Sequence, residues 1–355
     1  MIRLTGGVGT PEIRAFAEAA HTSLAGGGEP ILLDAPGTRG PAPGQIRADT
    51  AVLIRTSGST SAGKLVEITW DQIRASTAAT HEALGGEGPW LTCLPIEHIA
   101  GAQTVLRSVL AGTEPIPFRL GDSVPTGAYL SLVPTQLRRA LADPAVTDSL
   151  TAARAILVGG QACPAELLER GRAAGLTLVT TYGMTETCGG CVYDGTPIGS
   201  AHITLADSRI IITGPQVASG YCGGEDFAGR LETNDAGRWE GGRLTVLGRL
   251  DDAITTGGLT IMPAAVENHL AAAGIHAVAF GVPHPEWGQA LVILTEKCED
   301  KERIRPLARQ LGPEFSPKGV ACLADFALSA FPTLASGKLN RRKLPEMWRV
   351  HGEHF

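Results

Sequence analysis

The fold is decided by the stretch AVLIRTSGSTSAGKLVEIT, residues 51–69, in which a loop of Ser, Thr and Gly lies between two apolar segments. The spacing from Gly58 to Lys64 matches the phosphate-binding pattern G-x-x-x-x-G-K-[ST], but Leu65 stands where that pattern needs a hydroxyl and a helix. Segment 65–69 instead predicts a strand. Such a loop offers backbone N–H groups and hydroxyls to phosphate oxygens without a helix. Taken alone, it fits a phosphate site and a surface hairpin about equally well.

The surrounding sequence alternates apolar, β-branched segments with helical patterns, which predicts an α/β protein with a largely parallel core sheet. Helices are predicted from about Trp70 to Leu84 and from about Ala100 to Leu110. Strands are predicted at 51–56, 90–94, 128–133, 153–158 and 176–183. The opening fifty residues, which contain GGG and APGTRGPAPG, are predicted to be rich in loops.

The character of the chain changes near residue 200, where short strands and turns begin and predict a β-rich flank. After Asp252 a compact unit is predicted, with helices at Pro263–Ala272 and near 300–310 and strands at 276–282 and 290–296. We therefore expect a large N-terminal α/β domain with this flank, residues 1–250, and a small mobile C-terminal α+β domain, residues 251–355.

Composition excludes several classes of function. The chain has 355 residues, is 43% hydrophobic and carries a formal charge of -6 without a basic run, so we expect a globular protein that binds small molecules rather than nucleic acid or an anionic membrane. The sequence contains neither a membrane-spanning apolar run nor a signal-peptide core, which predicts a cytoplasmic protein without stable membrane insertion. Seven scattered cysteines favour reduced thiols. We expect buried thiols, rather than a zinc or redox site, in the lone C-x-x-C motif from Cys188 to Cys191.

Four further motifs follow the loop in a fixed order. They are TYGMTET (181–187), ETNDAGRW (232–239), GRLDDAITTGG (248–258) and PTLASGKLNRRKL (332–344). Together with the loop, this set resembles the adenylate-forming superfamily of acyl-CoA synthetases over about residues 51 to 345. The resemblance implies that fold, the substrates ATP and coenzyme A, a carboxylic acid as the third substrate, and Mg²⁺ as the metal.

The resemblance also implies a role for individual residues. Phosphate oxygens of ATP would be bound by Thr56, Ser57, Gly58, Ser59, Thr60 and Lys64. The adenine would be enclosed by Gly159, Gly160, Gln161, Tyr182 and Gly183, and the ribose hydroxyls would be bound by Asp235 and Arg249. Thr185 would contact the α-phosphate, Glu186 would bind Mg²⁺, and Lys338 would bridge the substrate carboxylate and the phosphate as pyrophosphate leaves.

Three of these residues also have ordinary structural interpretations. Asp235 lies in Asn-Asp-Ala-Gly, a common turn sequence, and Glu186 and Lys338 could be solvated surface charges. We favour the functional roles because all three occur within the ordered set of motifs.

The acid pocket is expected within residues 94–113 and 131–137, which are similar to the family of o-succinylbenzoate-CoA ligases of menaquinone biosynthesis. The resemblance places four side chains in this pocket: His98, Arg107, Ser131 and Thr135. A substrate with a second, unreacted carboxylate needs a cation or several hydrogen-bond donors in its pocket. A solvent-facing Arg107 and a purely structural His98 are the alternatives.

In this superfamily the C-terminal domain moves between two half-reactions, and the implied hinge is Asp251. Gly257 and Gly258 would then line the route of the pantetheine arm. Two features depart from the family: only about fifty residues precede the phosphate loop, and Thr-Asn-Asp replaces the commoner Thr-Gly-Asp. A ligase for an aryl or fatty acid, or for loading a carrier protein, and a non-catalytic nucleotide-binding protein remain alternatives. A homo-oligomer is possible.

Overall fold

The structure is a computed structural model that describes residues 1–35, 37–38, 40–42, 44–56, 63–333 and 339–351; of Gly27, Val350 and His351 only the backbone is described. The described chain forms two compact units. The first comprises residues 1–204, 211–233 and 240–244, and the second comprises 205–210, 234–239 and 245–355. The second unit thus includes segments that we expected in the N-terminal domain. The functional boundary at 250/251 stays a prediction.

The strands and helices have the following bounds. The strands are β1 (Ile2–Thr5), β2 (Ile31–Asp34), β3 (Val52–Arg55), β4 (Leu65–Ile68), β5 (Trp90–Thr92), β6 (Ile116–Pro117), β7 (Tyr129–Leu132), β8 (Ala155–Val158), β9 (Leu178–Met184), β10 (Gly189–Tyr193), β11 (Thr196–Pro197), β12 (His202–Ala206), β13 (Arg209–Thr213), β14 (Gly220–Tyr221), β15 (Arg230–Glu240), β16 (Arg243–Arg249), β17 (Ile254–Thr256), β18 (Leu259–Ile261), β19 (Ala277–His284), β20 (Gly288–Thr295) and β21 (Gly319–Cys322). The α-helices are α1 (Thr10–Thr22), α2 (Trp70–Ala83), α3 (Ile99–Leu110), α4 (Pro134–Ala140), α5 (Pro144–Leu150), α6 (Ala165–Ala173), α7 (Pro263–Ala272), α8 (Lys301–Arg309) and α9 (Lys343–His351).

One sheet of the first unit has the strand order β1-β2-β3-β4-β14. Its first three strands are parallel, whereas β3 and β4 form an antiparallel hairpin. The opening fifty residues, expected to be rich in loops, also contain β1, α1 and β2, which were not predicted. Helix α1 buries Ile13, Phe16, Ala17 and Ala20, which recur at the spacing of one helical face.

The core sheet has the strand order β11-β10-β9-β8-β7-β5-β6 and is parallel from β9 to β6. This confirms the predicted, largely parallel core. All residues of β7 and β8 are buried, as expected for parallel strands covered on both faces. In such a sheet ligands bind beyond the carboxyl ends of the strands. Three predicted site segments lie at these ends: 131–135 spans the end of β7, 159–161 follows β8, and 183–186 spans the end of β9.

Helices α2 and α3 confirm the two predicted helices to within one residue at each end. Helix α2 begins with a capping box, in which the Thr69 hydroxyl accepts from the Gln72 N–H and the Gln72 side chain accepts from the Thr69 N–H. Helix α3 is buried over most of its length, including its polar residues Gln103, Thr104, Arg107 and Ser108. Gln103 and Arg107 each keep one buried polar atom without a hydrogen-bond partner, which is rare and makes this part of α3 a candidate for function.

The predicted β-rich flank corresponds to a four-stranded sheet, β12-β13-β15-β16. In the second unit, β17, β18, β19, β20 and β21 form a further sheet whose apolar side chains pack with α7 and α8 on one side and α9 on the other. Helix α7 has the predicted bounds. None of the helices in the described part of the chain combines the length and the apolarity needed to cross a membrane.

The cysteines follow the expectation only in part. Cys298 and Cys322 form a disulfide bond, so the expectation that all thiols are reduced was wrong. Cys188 and Cys191 are free and buried, and burial raises the pKa of both thiols, that of Cys191 to about 12. These are the properties of buried structural thiols rather than of reactive ones.

Candidate functional site

The Ser/Thr/Gly-rich loop joins two paired strands, as predicted. Thr56 donates its N–H to the Lys64 carbonyl at 2.8 Å, and the Thr56 hydroxyl accepts from the Lys64 N–H at 3.2 Å. Gly63 has a φ of +55°, which favours glycine. A strand rather than a helix follows, so the loop is not a P-loop of the Walker type. Four residues predicted to bind phosphate lie outside the described residues: Ser57, Gly58, Ser59 and Thr60.

An ion pair anchors the start of this loop. Nη2 of Arg55, the residue before Thr56, lies 2.8 Å from Oδ2 of Asp34, whose side chain is buried. Burial would raise the pKa of Asp34, but the hydrogen bond and the charge of Arg55 hold this pKa below its ordinary value. Asp34 is therefore charged at neutral pH, and the pair ties the loop to β2.

Three side chains connect the loop with the turn that follows β9. The Lys64 Nζ lies 4.1 Å from the centroid of the Tyr221 ring, and the Tyr221 hydroxyl donates to Glu186 Oε1 at 3.0 Å. Burial and the Glu186 carboxylate raise the pKa of Tyr221, so its hydroxyl stays protonated and donates. Tyr221 was missed in the sequence because its partners are 157 and 35 positions away.

Glu186 is suited to bind a hard metal ion together with phosphate oxygens. It lies in the 3-10 turn Thr185–Thr187, is half-buried, and has one carboxylate oxygen oriented by Tyr221. Mg²⁺ is usually bound by one or two carboxylates plus substrate phosphates. The turn is fixed on its far side, where the Glu186 carbonyl accepts from the Ala218 N–H at 2.9 Å. The solvated-charge alternative for Glu186 therefore does not describe its surroundings.

A pocket opens beside this turn, between α3 and the carboxyl ends of β7, β8 and β9. The residues that line it are Leu94, Ile99, Ala100, Gln103, Arg107, Ser131, Leu132, Val133, Leu157, Gly159, Gly160, Thr181, Gly183, Gly189, Gly190 and Tyr193. It therefore brings together Arg107 and Ser131, predicted for the acid, with three glycines predicted for the nucleotide.

Arg107 is the most unusual residue of this pocket. It is only 2% exposed, and its guanidinium carbon lies 4.6 Å from the Trp90 ring centroid. Burial lowers the pKa of Arg107, and the interaction with Tyr193 offsets part of that decrease. Its Nε has no hydrogen-bond partner, and among the described residues no carboxylate pairs with it. A solvent-facing Arg107 was the alternative, and its burial excludes that interpretation.

Other predicted pocket residues lie elsewhere. Thr135 is exposed on the first turn of α4, and His98, which is also exposed, is the residue that precedes α3. Neither Thr135 nor His98 is among the described residues that line the pocket. Thr135 is exposed because α4 turns its Leu137 face, not its Thr135 face, toward the core. A direct contact of either residue with the acid stays a prediction.

The segment predicted to enclose adenine follows β8. Gly159 approaches the Thr181 side chain so closely that a Cβ would overlap its hydroxyl oxygen, and Gly160 has a φ of +82°. Gln161 is exposed, and Tyr182 is half-buried on β9. Gly183 is required by packing, because a Cβ there would overlap the Gly189 carbonyl.

The predicted ribose and hinge residues belong to the second unit. Arg249 forms a two-pronged ion pair with Asp251, with both N–O distances 2.8 Å, and its Nη1 lies 4.0 Å from Asp235 Oδ1. The hydrogen bond with Arg249 lowers the pKa of Asp251 and raises that of Arg249. Asp235, whose side chain is 16% exposed, lies within β15, so the turn interpretation was wrong for it. The structure thus groups Asp235, Arg249 and Asp251.

Two further predicted elements lie in the same unit. Gly257 and Gly258 form the two-residue turn between β17 and β18, with φ values of +55° and +82°. Both values require glycine-like freedom, as in a type I′ hairpin turn. Lys338 lies outside the described residues, and its catalytic role stays a prediction.

The chain is similar to known proteins that bind AMP or activate a carboxylic acid. Residues 18–222 match the family model described as AMP-binding enzyme. A probable 2-succinylbenzoate--CoA ligase of Mycobacterium tuberculosis is 36% identical over 358 aligned positions, which cover 90% of this chain and 91% of that protein.

Two solved structures of o-succinylbenzoate CoA synthetase from Bacillus subtilis have the same fold. One, in complex with the acyl-adenylate intermediate OSB-AMP, is 24% identical with a TM-score of 0.72, covering 93% of this chain and 80% of that one. The other, in complex with ATP and magnesium ion, is 24% identical with a TM-score of 0.71, covering 92% and 82%.

Proposed function

The chain belongs to the family of AMP-binding enzymes, and we propose that it activates o-succinylbenzoate and transfers it to coenzyme A. A carboxylate oxygen of the acid attacks the α-phosphorus of ATP, pyrophosphate leaves, and an acyl-adenylate results. The thiol of coenzyme A then attacks the acyl carbon, AMP leaves, and the thiol proton passes to solvent. The product is o-succinylbenzoyl-CoA, an intermediate of menaquinone biosynthesis.

The observation that carries this choice of acid is Arg107. A cation buried in a pocket costs free energy unless an opposite charge accompanies it. The pocket supplies no carboxylate from the described residues, so we infer that the substrate supplies one. o-Succinylbenzoate has two carboxylates, and the one that is not activated fits this requirement. A fatty acid has none to spare.

The nucleotide would be bound next to this pocket. Lys64 supplies a cation for the phosphates, and Glu186 would hold Mg²⁺, which neutralises phosphate charge when bound. Gly159 and Gly160 allow the close approach that a flat ring at the end of β8 requires. Thr185, beside Glu186, is placed to donate to the α-phosphate or the attacking carboxylate.

The second unit would contribute to both half-reactions. We propose that Asp235 accepts the ribose hydroxyls, supported by Arg249, that Lys338 assists adenylation, and that the chain turns at Asp251 before thioester formation. Gly257 and Gly258 would then border the path of pantetheine. Because ATP and coenzyme A are cytoplasmic substrates, we place the reaction in the cytoplasm.

Mass measurement of the product after incubation with ATP, Mg²⁺, coenzyme A and o-succinylbenzoate tests the proposal. We expect the acyl-adenylate without coenzyme A and the thioester with it. Pyrophosphate release is then compared for o-succinylbenzoate, for 4-oxo-4-phenylbutanoate, which lacks the aromatic carboxylate, and for octanoate. Preference for either monocarboxylate would indicate another acyl-CoA ligase, and no release with any acid would indicate a non-catalytic nucleotide-binding protein.

A further inference from the structure

Gln103 touches both the acid pocket and the turn that carries Glu186. It is 1% exposed and lies on α3 four residues before Arg107, so both side chains project from the same face of the helix. Its Nε2 donates to the Cys188 carbonyl at 2.6 Å, whereas its Oε1 is buried without a partner. Both Gln103 and Arg107 line the pocket, and each has one buried polar atom without a hydrogen-bond partner, Gln103 Oε1 and Arg107 Nε.

The carbonyl that Gln103 holds belongs to a residue in an unusual conformation. Cys188 has a φ of +51° and ends the 3-10 turn, where its N–H donates to the Thr185 carbonyl at 3.1 Å. Left-handed backbone at a non-glycine residue is unfavourable, so surrounding contacts must stabilise it. Two buried side chains do so, because Ser76 Oγ donates to the same carbonyl at 3.0 Å.

The two donors approach this carbonyl from different helices. Ser76 comes from α2 and lines a separate pocket, whereas Gln103 comes from α3 and lines the acid pocket. A Cβ on Gly189, the residue after Cys188, would lie in ordinary contact with the Gln103 Cγ at 3.5 Å. Of the two donors, only Gln103 lines the pocket in which we place the acid.

We propose that Gln103 is a positioning residue that couples binding of the acid to the geometry of the turn carrying Thr185 and Glu186. This inference rests on the proposed function of the pocket. An acid that accepts from the second N–H of the Gln103 amide, or that a water molecule bridges to the amide oxygen, restricts that side chain and with it the Cys188 carbonyl. The turn is then held in the conformation that binds magnesium and nucleotide. Coupling between two sites is reciprocal, so each ligand strengthens the binding of the other.

Calorimetric titration of the whole chain with the Mg²⁺ complex of α,β-methylene-ATP, with and without saturating o-succinylbenzoate, tests this proposal. For the parent we expect the acid to lower the nucleotide Kd by about five-fold or more, within the range usual for coupled sites. In Gln103→Met, which conserves volume but removes the amide, this factor should fall to near one. In the matched control Ser76→Ala, which removes the other donor to the same carbonyl, the factor should persist even if the nucleotide binds more weakly.

The proposal is overturned if the parent shows no coupling, if Gln103→Met keeps the full factor, or if Ser76→Ala loses as much of it. Should Gln103→Met fail to fold, Gln103→Glu serves instead, since an ionised carboxylate keeps the shape but cannot donate to the Cys188 carbonyl. Only binding is measured, so the test does not depend on turnover. If the parent binds but does not adenylate o-succinylbenzoate, the proposed function fails while the coupling is still measured, with any acid of the panel that binds.

Discussion

Replacing Arg107 with alanine removes the side chain that, within the pocket, favours a dicarboxylate substrate. The guanidinium is 2% exposed, lies over the Trp90 ring and has no carboxylate partner among the described residues. If it binds the carboxylate that is not activated, Arg107→Ala leaves that charge in a partly desolvated pocket with only neutral donors. The loss should appear in both binding and activation of o-succinylbenzoate.

The size of the effect follows from the surroundings of Arg107. A hydrogen bond to a charged group contributes about 1.5–3 kcal/mol, and burial strengthens the electrostatic part. We therefore expect a loss of roughly 2 to 4 kcal/mol, which is a fall in kcat/KM of about 30- to 900-fold. Arg107→Lys should recover only part of this, because an ammonium group does not reproduce the planar fork of the guanidinium.

The assay is pyrophosphate release at varied acid concentration, with two controls. The first is 4-oxo-4-phenylbutanoate, which should be a poor substrate of the parent and little changed by Arg107→Ala. The second is thermal unfolding of Arg107→Met, which keeps much of the packing volume. Because a buried cation without an opposite charge costs stability, this variant should unfold at no lower temperature than the parent.

An equal fall in kcat/KM for both acids would refute the reasoning. Arg107 would then be structural, its contact with the Trp90 ring would be its function, and a ligase for simple aryl acids would become the better interpretation. A marked decrease in the unfolding temperature of Arg107→Met would support that conclusion independently.

Three further predictions concern the nucleotide and the hinge. Lys338→Ala should lower adenylation by orders of magnitude but spare thioester formation from supplied acyl-adenylate; equal losses would contradict the assigned role. Asp251→Pro should stop transfer to coenzyme A while sparing pyrophosphate release. The control Asp251→Ala loses the same ion pair with Arg249 and should keep both reactions. Normal thioester formation by the proline variant would mean that the hinge does not lie at Asp251. Tyr221→Phe should raise the Mg²⁺ concentration needed for half-maximal rate, because the Glu186 oxygen loses its 3.0 Å hydrogen bond; an unchanged requirement would mean that Tyr221 does not orient the metal ligand.

The sequence predicted those parts of the fold in which local pattern and tertiary environment agree. The strands within 51–69 are continuous apolar segments, and α2 and α7 carry clear start signals, the Thr69–Gln72 capping box and Pro263. Helix α1 was missed although Ile13, Phe16, Ala17 and Ala20 mark one face. The neighbouring Gly- and Pro-rich segments masked that pattern, and the flanking strands are only four residues long.

Functional side chains were predicted where a motif contains them and missed where distant segments supply them. Glu186 lies in a recognisable motif, but its partner Tyr221 lies in a short strand that pairs with β4. Gln103 looks like an ordinary helix residue until its contact with Cys188, 85 positions away, is known. The Cys298–Cys322 disulfide was missed for the same reason, because sequence alone does not show which thiols the fold brings together.

The two unpaired polar atoms of α3 suggest how binding of the acid affects binding of the nucleotide. A helix is a rigid element, and residues four apart on it share one face, so a ligand that engages Arg107 also restrains Gln103. Gln103 in turn holds the backbone at Cys188, where the turn bearing Glu186 ends. An acid without the second carboxylate would leave Arg107 unengaged and restrain this face less. Discrimination between acids would then appear not only as weaker acid binding but also as weaker binding of the magnesium nucleotide, before any bond to phosphorus is broken.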